Sequence, residues 1–346
     1  MDATEAKQPV AVLPSEKVAF LRRADAHHHV GQVECRETHM SWVFFAGDKV
    51  LKLKKPVRFP YLDFSTVEKR HAACVAELAL NRRLASGVYE RVEPITVSDG
   101  KLSIGGPGEV VDWLVVMKRL DDRGTLEHAL REGRLRVHEL EALVTVLARF
   151  YRCCPRVPVP PALLLSNWRK NLSENRRVLL GGRSPLPVAD VRFVDRMQTM
   201  FLAARAPLIA ARARHRHIVD GHGDLRPEHI WLGPPVLIID CLEFNRRLRT
   251  VDPLDEIAHL CLECDRLAGE RYADYIKQRA MRVLQGEVSE ELFAFYRCYR
   301  ATLRARLAVA HLLEPNPRTP AKWPRLGHEY LDLALQDARR LQRFLG

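Results

Sequence analysis

From about residue 125 to the end of the chain, apolar residues recur at helical spacing, and the pattern breaks only once, between about residues 219 and 240. That break constrains the fold more than any other feature. A polar loop beginning at His222-Gly223-Asp224 leads to the short apolar run Ile230-Trp231-Leu232. After a turn at Gly233-Pro234-Pro235, a second apolar run, Val236-Leu237-Ile238-Ile239, ends on Asp240. A hairpin of this kind holds two carboxylates, Asp224 and Asp240, at one end of a site.

The first third of the chain reads differently. Residues 33–36, 42–45 and 50–53 alternate like strands, with Gly47-Asp48 as a turn, and predict an antiparallel meander. A helix is expected over 66–84, stopped by Gly87, with further strands near 95–97 and 110–117. Strands, one helix and strands again make a small lobe; helices over 126–132, 138–151, 167–180, 188–214, 254–268, 271–283, 290–313 and 326–344 make a large one. The expected organisation is a loose polar leader over 1–17, an N-lobe over 18–118 and a C-lobe over 119–346.

With 346 residues, 47% of them hydrophobic, the chain can bury a substantial core. It has no run of eighteen apolar residues and no signal-like start, so the expectation is a soluble, cytoplasmic protein with no membrane partner. The eight cysteines lack the spacing of a secreted disulfide framework, and Cys261-Leu262-Glu263-Cys264 is a single CxxC within a helical pattern. The net charge of +12 is spread over arginines along most helices, without the aromatic interleaving of a nucleic-acid module.

Phosphoryl transfer needs one carboxylate to orient the attacking hydroxyl and accept its proton, and another to hold Mg²⁺ against nucleotide phosphates. Asp224 suits the first role, and Asp240, at a strand end, suits the second. The order of parts is that of a kinase catalytic loop followed by its metal-binding aspartate. The stretch resembles the aminoglycoside phosphotransferase-like kinases, relatives of the protein kinases. Thr38-His39-Met40-Ser41-Trp42-Val43-Phe44, Val50-Leu51-Lys52-Leu53-Lys54-Lys55-Pro56 and Ile239-Asp240-Cys241-Leu242-Glu243-Phe244 resemble an uncharacterised bacterial branch of them. The resemblance covers roughly residues 30 to 265.

It implies an α+β, two-lobed protein-kinase-like fold with a small β-rich N-lobe and a large, mostly helical C-lobe. ATP would lie in the cleft between lobes with Mg²⁺, and the γ-phosphate would pass to a hydroxyl of a small molecule. Lys52 stands where the family has its phosphate-contacting lysine, although strand alternation puts Lys52 and Lys54 on one face and cannot choose between them. Its helix partner would be Glu77, with Glu68 as the alternative. Met117, in Val115-Val116-Met117-Lys118, would lie beside adenine, and fits a core position equally well. Ser41, in the 38–41 turn, would help replace the absent Gly-rich loop.

Arg226 would neutralise the transferred phosphoryl group, or pair with Glu228. His222 reads as a scaffold, and Asp252 as a helix cap that also anchors the catalytic loop. The family's metal-binding asparagine is here His229, which binds metal only as a neutral imidazole and prefers softer ions; Glu243 is a candidate replacement ligand. His27-His28-His29 and His215-Arg216-His217 read as surface clusters. Two rivals stand beside the kinase reading. A nucleotide-binding pseudokinase is suggested by His229 and the missing Gly-rich loop, and a nucleic-acid-binding protein by charge alone. The acceptor, the choice of nucleotide and the oligomeric state are not written in these motifs.

Overall fold

Alternating strands in the first third of the chain assemble one six-stranded antiparallel sheet. Its members are β1 (Val33–Glu37), β2 (Ser41–Ala46) and β3 (Lys49–Lys54), and then, past the small hairpin β4 (Arg58–Phe59) and β5 (Leu62–Asp63), β6 (Tyr89–Ser98), β7 (Lys101–Ile104) and β8 (Glu109–Lys118). The spatial order is β1-β2-β3-β8-β6-β7. The structure is a computed structural model that describes residues 12–27, 31–284, 289–314 and 319–346. By packing, the chain divides into one unit of Met1–Asp122 with Leu237–Arg246 and another of Arg123–Val236 with Arg247–Gly346.

In the first unit, the pleat of β3 sorts its side chains. Leu51 and Leu53 join Phe44, Ile95, Leu114 and Val116 on one face, which helix α1 (Pro14–Leu21) caps with Leu21. Val50 takes the opposite face, where Cys74 and Ala85 of α2 (Val67–Ala85) pack against Val115 and Met117. Thr66 starts α2 by accepting the N–H of Lys69 through its hydroxyl. Leu237 and Ile239 close over this second face, so the segment Leu237–Arg246 belongs with the sheet rather than with the later helices expected to hold it.

The second unit is helical: α3 (Leu126–Arg131), α4 (Val137–Cys153), α5 (Pro161–Leu179), α6 (Val188–Ala204), α7 (Ala206–Arg214), α8 (Arg246–Arg249, whose first residue lies in the first unit), α9 (Pro253–Ala268), α10 (Glu270–Val283), α11 (Glu290–Leu312) and α12 (Lys322–Leu345). Every residue of α9 from Pro253 to Asp265 is buried. Its acids are tolerated there because each has a partner. Arg300 grips Asp255 bidentately at 2.7 and 2.6 Å, and Arg297 joins Asp265 at 2.6 Å to Asp337 at 2.8 Å. Part of the arginine excess is therefore interior ion pairing. Among the described residues, no helix is long and apolar enough to cross a membrane.

Two further expectations need correction. The helix expected over 188–214 is two helices, because Pro207 lies in the first turn of α7 and has no N–H to continue the ladder; Arg205 leaves helical geometry at φ −113°. The leader expected over 1–17 already contains structure. Helix α1 starts at Pro14, and buried Lys17 donates to Asp112 Oδ2 and the Val111 carbonyl, both at 2.8 Å. An eight-residue helix is too short for its period to show. Of the histidine clusters, His28 and His29 lie outside the described residues. All eight cysteines lie among the described residues as free thiols, and Cys261 and Cys264 are buried in α9, where burial pushes the Cys261 thiol up to about 12.

Leu114 is fully buried in the sheet core, and Val110 on the same strand is exposed. Leu114→Ala should cost about 2–5 kcal/mol of unfolding free energy, and Val110→Ala less than about 0.5 kcal/mol. Denaturant midpoints of the two variants check this ordering.

Candidate active site

Strand alternation sends Lys52 and Lys54 toward α2, and buried Glu77 receives both. Lys52 Nζ lies 2.8 Å from Glu77 Oε1, and Lys54 Nζ lies 2.6 Å from Oε2. Lys52 also donates to Asp240 Oδ1 at 3.0 Å, and Lys54 to Glu243 Oε1. Both lysines that periodicity put on one face therefore pair with the same helix glutamate. Lys52 keeps 17% of its side chain exposed, whereas Lys54 keeps none. Glu68 is exposed on α2 and takes no part.

The charges hold one another in place. Burial opposes the Lys52 ammonium, but Asp240 and Glu77 more than offset it and keep the group well above the usual lysine range. Burial also raises Glu77, which Lys52 and Lys54 overcome, leaving it below the ordinary carboxylate range. Glu243 is pushed up, by burial first and with Glu77 contributing, against the pull of Lys54.

Asp240 sits at φ +61°, a left-handed conformation that costs a residue with a side chain roughly 1–2 kcal/mol. Two side chains keep it there. The Tyr89 hydroxyl accepts the Asp240 N–H at 3.1 Å, and Asn81 Oδ1 accepts the Cys241 N–H at 2.9 Å. Asn81 lies one turn beyond Glu77 on α2 and donates to the Glu77 carbonyl at 2.9 Å, so a single helix places both. Sequence reasoning singled out neither Asn81 nor Tyr89. The available signal was a polar residue four positions after Glu77.

In the second unit, the loop at 222–229 is built on Glu256 of α9. Its buried carboxylate accepts the N–H groups of His222, at 3.1 Å, and of Gly223, and the Tyr151 hydroxyl at 3.0 Å. Burial pushes Glu256 up, and the Gly223 and His222 N–H groups oppose that. A Cβ at Gly221 would fall 2.6 Å from Glu256 Oε2, so any larger residue there would displace the carboxylate that holds the loop. His222 is a scaffold within the loop, its Nδ1 accepting the Asp224 N–H at 3.3 Å. Asp252 caps α9 through the Leu254 N–H at 3.0 Å and pairs with Arg212 at 2.7 Å.

Arg226 makes the expected pair with Glu228 and a second pair with Asp224. Nη2 lies 2.8 Å from Asp224 Oδ2, and Nη1 lies 2.5 Å from Glu228. Burial raises the Asp224 carboxyl, but Arg226 and then His229 pull it well below the usual range. His229 Nδ1 contacts the Asp224 carbonyl at 2.9 Å, and Nε2 faces Arg226 Nη2 at 3.4 Å. With a proton on Nδ1, the Nε2 lone pair looks toward a guanidinium, a poor place for a second cation.

Ser41 and Met117 stand apart from these groups. The Ser41 N–H donates to Thr38 Oγ1 at 2.9 Å and its carbonyl accepts the Thr38 N–H at 2.8 Å, so the 38–41 turn closes on itself and does not present that donor to a ligand. Met117 packs in the core between Val50 and Tyr89. Among the described residues, no group of three or more His, Cys, Asp or Glu side chains gathers as a metal site. Asp240 is the carboxylate that suits a hard divalent ion, with 46% of its side chain exposed while Glu77 and Glu243 are buried against lysines. Such an ion needs only one or two protein carboxylates when phosphate oxygens supply the rest.

No family model matches the chain. It is 32% identical over 311 residues to uncharacterised proteins of Mycobacterium tuberculosis and Mycobacterium bovis, a match covering 86% of this chain and 59% of theirs. The chain thus spans less than two thirds of the length of these relatives. Among solved structures it is similar to a choline/ethanolamine kinase family protein from Mesorhizobium loti, with a TM-score of 0.52 and 15% identity over 94% of this chain and 98% of that one. It is also similar to the GDP complex of an aminoglycoside phosphotransferase mutant, with a TM-score of 0.52 and 13% identity over 96% and 99%. A choline kinase from Cryptosporidium parvum gives a TM-score of 0.51 and 10% identity over 90% of each chain. At these identities the likeness shows the fold.

Glu256→Ala leaves the His222 and Gly223 N–H groups without their buried acceptor. The expected loss is about 1–3 kcal/mol per orphaned donor. Thermal unfolding should show a clear fall in Tm, against no resolvable change for Glu68→Ala on the exposed side of α2.

Proposed function

We propose that this chain, a member of the protein-kinase-like fold family that includes the aminoglycoside phosphotransferases and the choline/ethanolamine kinases, transfers the γ-phosphate of ATP to a hydroxyl group of a small molecule. The observation that carries the reading is Lys52, held between Glu77 and Asp240. An ammonium fixed by a helix glutamate and set beside an exposed carboxylate supplies the two charges a nucleotide triphosphate and its cation require.

Each residue then has a role. Lys52 meets the α- and β-phosphates. Asp240 would hold Mg²⁺, which when bound would neutralise charge on the phosphate oxygens. Asp224 orients the acceptor hydroxyl. As the hydroxyl oxygen bonds to the γ-phosphorus, the bond from that phosphorus to the bridging oxygen breaks, ADP leaves and the proton passes to Asp224. Arg226 compensates the charge on Asp224 and on the moving phosphoryl group. His229 is given the task of holding the loop, through the Asp224 carbonyl, rather than of binding metal.

The second reading, a pseudokinase that binds nucleotide without turnover, draws on His229 turned to Arg226 and on the self-closed turn at Ser41. Turnover separates the two. Against a panel of hydroxylated metabolites and aminoglycosides, wild type should release ADP with at least one acceptor. Asp224→Asn should lower kcat by about 10²–10⁴-fold while nucleotide affinity stays close to wild type. Lys52→Met should lose nucleotide affinity as well. Wild type that binds ATP yet turns over no acceptor faster than Asp224→Asn would establish the pseudokinase instead.

A pH profile tests the base. Asp224 acts as a carboxylate, and Arg226 keeps its carboxyl below the ordinary range against the upward push of burial. Removing the guanidinium in Arg226→Gln should let that pKa rise. Activity would then be lost at higher pH as the solution is acidified, and the acid limb of kcat/KM moves upward. A limb that stays in place would exclude Asp224 as the titrating group.

A further inference from the structure

We infer that Lys54 and Glu243 form a second, buried latch that positions Asp240 for the phosphate-bound cation, an inference that rests on the phosphotransferase reading. The contacts close into a circuit: Asp240 to Lys52, Lys52 to Glu77, Glu77 to Lys54 and Lys54 to Glu243. Its two ends, Asp240 and Glu243, lie on one short segment of chain, and its two lysines lie on one strand. Glu77 is the hub. Three carboxylates share two ammoniums, so no member can swing away without uncovering a buried charge.

Lys54 cannot touch a ligand. Its side chain has no exposure, and its Nζ lies 5.0 Å from the centre of the Phe64 ring. Glu243 keeps only 8% of its side chain exposed, against 46% for Asp240. What Lys54 does for catalysis must therefore pass through the groups it holds. Tyr89 and Asn81 hold the backbone of the left-handed turn at Asp240 and Cys241, and the Lys54–Glu243 pair holds the same segment from its other end. With both ends fixed, the Asp240 carboxylate has one place to be. Lys54 and Glu243 are thus positioning residues, and their effect should appear in cation-dependent nucleotide affinity.

A buried pair can also serve stability alone, and the test separates the two. Lys54→Met should lower Tm, because Glu77 and Glu243 lose their shared ammonium. It should also weaken Mn²⁺-dependent binding of a non-hydrolysable ATP analogue by about 10–100-fold, the usual range for partners that orient a metal ligand. Lys54→Met combined with Glu243→Gln removes the uncompensated charge and should recover most of the Tm, while binding stays at least about tenfold weak. Affinity returning together with Tm in the double variant would overturn the inference and leave the pair a structural one. So would Lys54→Met binding as tightly as wild type. Wild type that fails to bind the Mn²⁺–nucleotide probe at all would overturn the phosphotransferase reading, and this inference with it.

Discussion

Glu77 is the charge on which the first unit is organised. A carboxylate at this depth is unfavourable unless it is matched, and it is matched twice, by ammoniums from adjacent same-face positions of β3. That arrangement fixes how α2 sits on the sheet: a rotation or a slip of one turn would carry Glu77 away from both ammoniums. Because Asn81 rides on the same helix, the turn at Asp240 is positioned by the helix that positions Glu77. The apolar packing of the sheet buries the larger area, and the ion pairs hold α2 where its one buried carboxylate meets both lysines.

The second unit applies the same logic around α9. That helix is buried all round, which hydrophobic packing alone would leave free to shift by a residue. Its acids remove that freedom, since each has a different partner. Arg300 takes Asp255, the loop N–H groups take Glu256, Arg266, Arg304 and Tyr330 take Glu263, and Arg297 takes Asp265. The loop carrying Asp224 is thus held by the same register that packs the helices. Glu256 does for this loop what Glu77 does for β3.

Much of this was legible in the sequence and some was not, for physical reasons. The strand period put Lys52 and Lys54 on one face, and the helical period delimited α2 and α9 to within a residue or two. The single break in the helical pattern located Asp224 and Asp240. What escaped were pairings between residues far apart in the chain: Lys17 with Asp112, Tyr89 with Asp240, and Glu256 with His222. A local window has no access to such pairs, because any buried acid can be satisfied by several arginines or N–H groups. The interior position of Lys54, though not the residue itself, escaped for a related reason. A lysine at the end of a strand can equally be a solvated charge, and it takes Glu77, Glu243 and the Phe64 ring, all distant in sequence, to make it interior.

The acidity of Asp224 bears on how a proposed base of this kind would work. A carboxyl held below its ordinary range by Arg226 and His229 has little appetite for the proton of a free alcohol. It can nevertheless accept a strong hydrogen bond from one and so aim the oxygen. The alcohol proton becomes acidic only as its oxygen acquires a bond to phosphorus, and at that stage even a weak base receives it. On the proposed reading, the same guanidinium that lowers the basicity of Asp224 would meet a phosphoryl oxygen approaching that carboxylate. Loss of basicity and gain of charge stabilisation would then be two effects of one contact, and in a loose transition state, where little proton transfer has occurred, the second would outweigh the first.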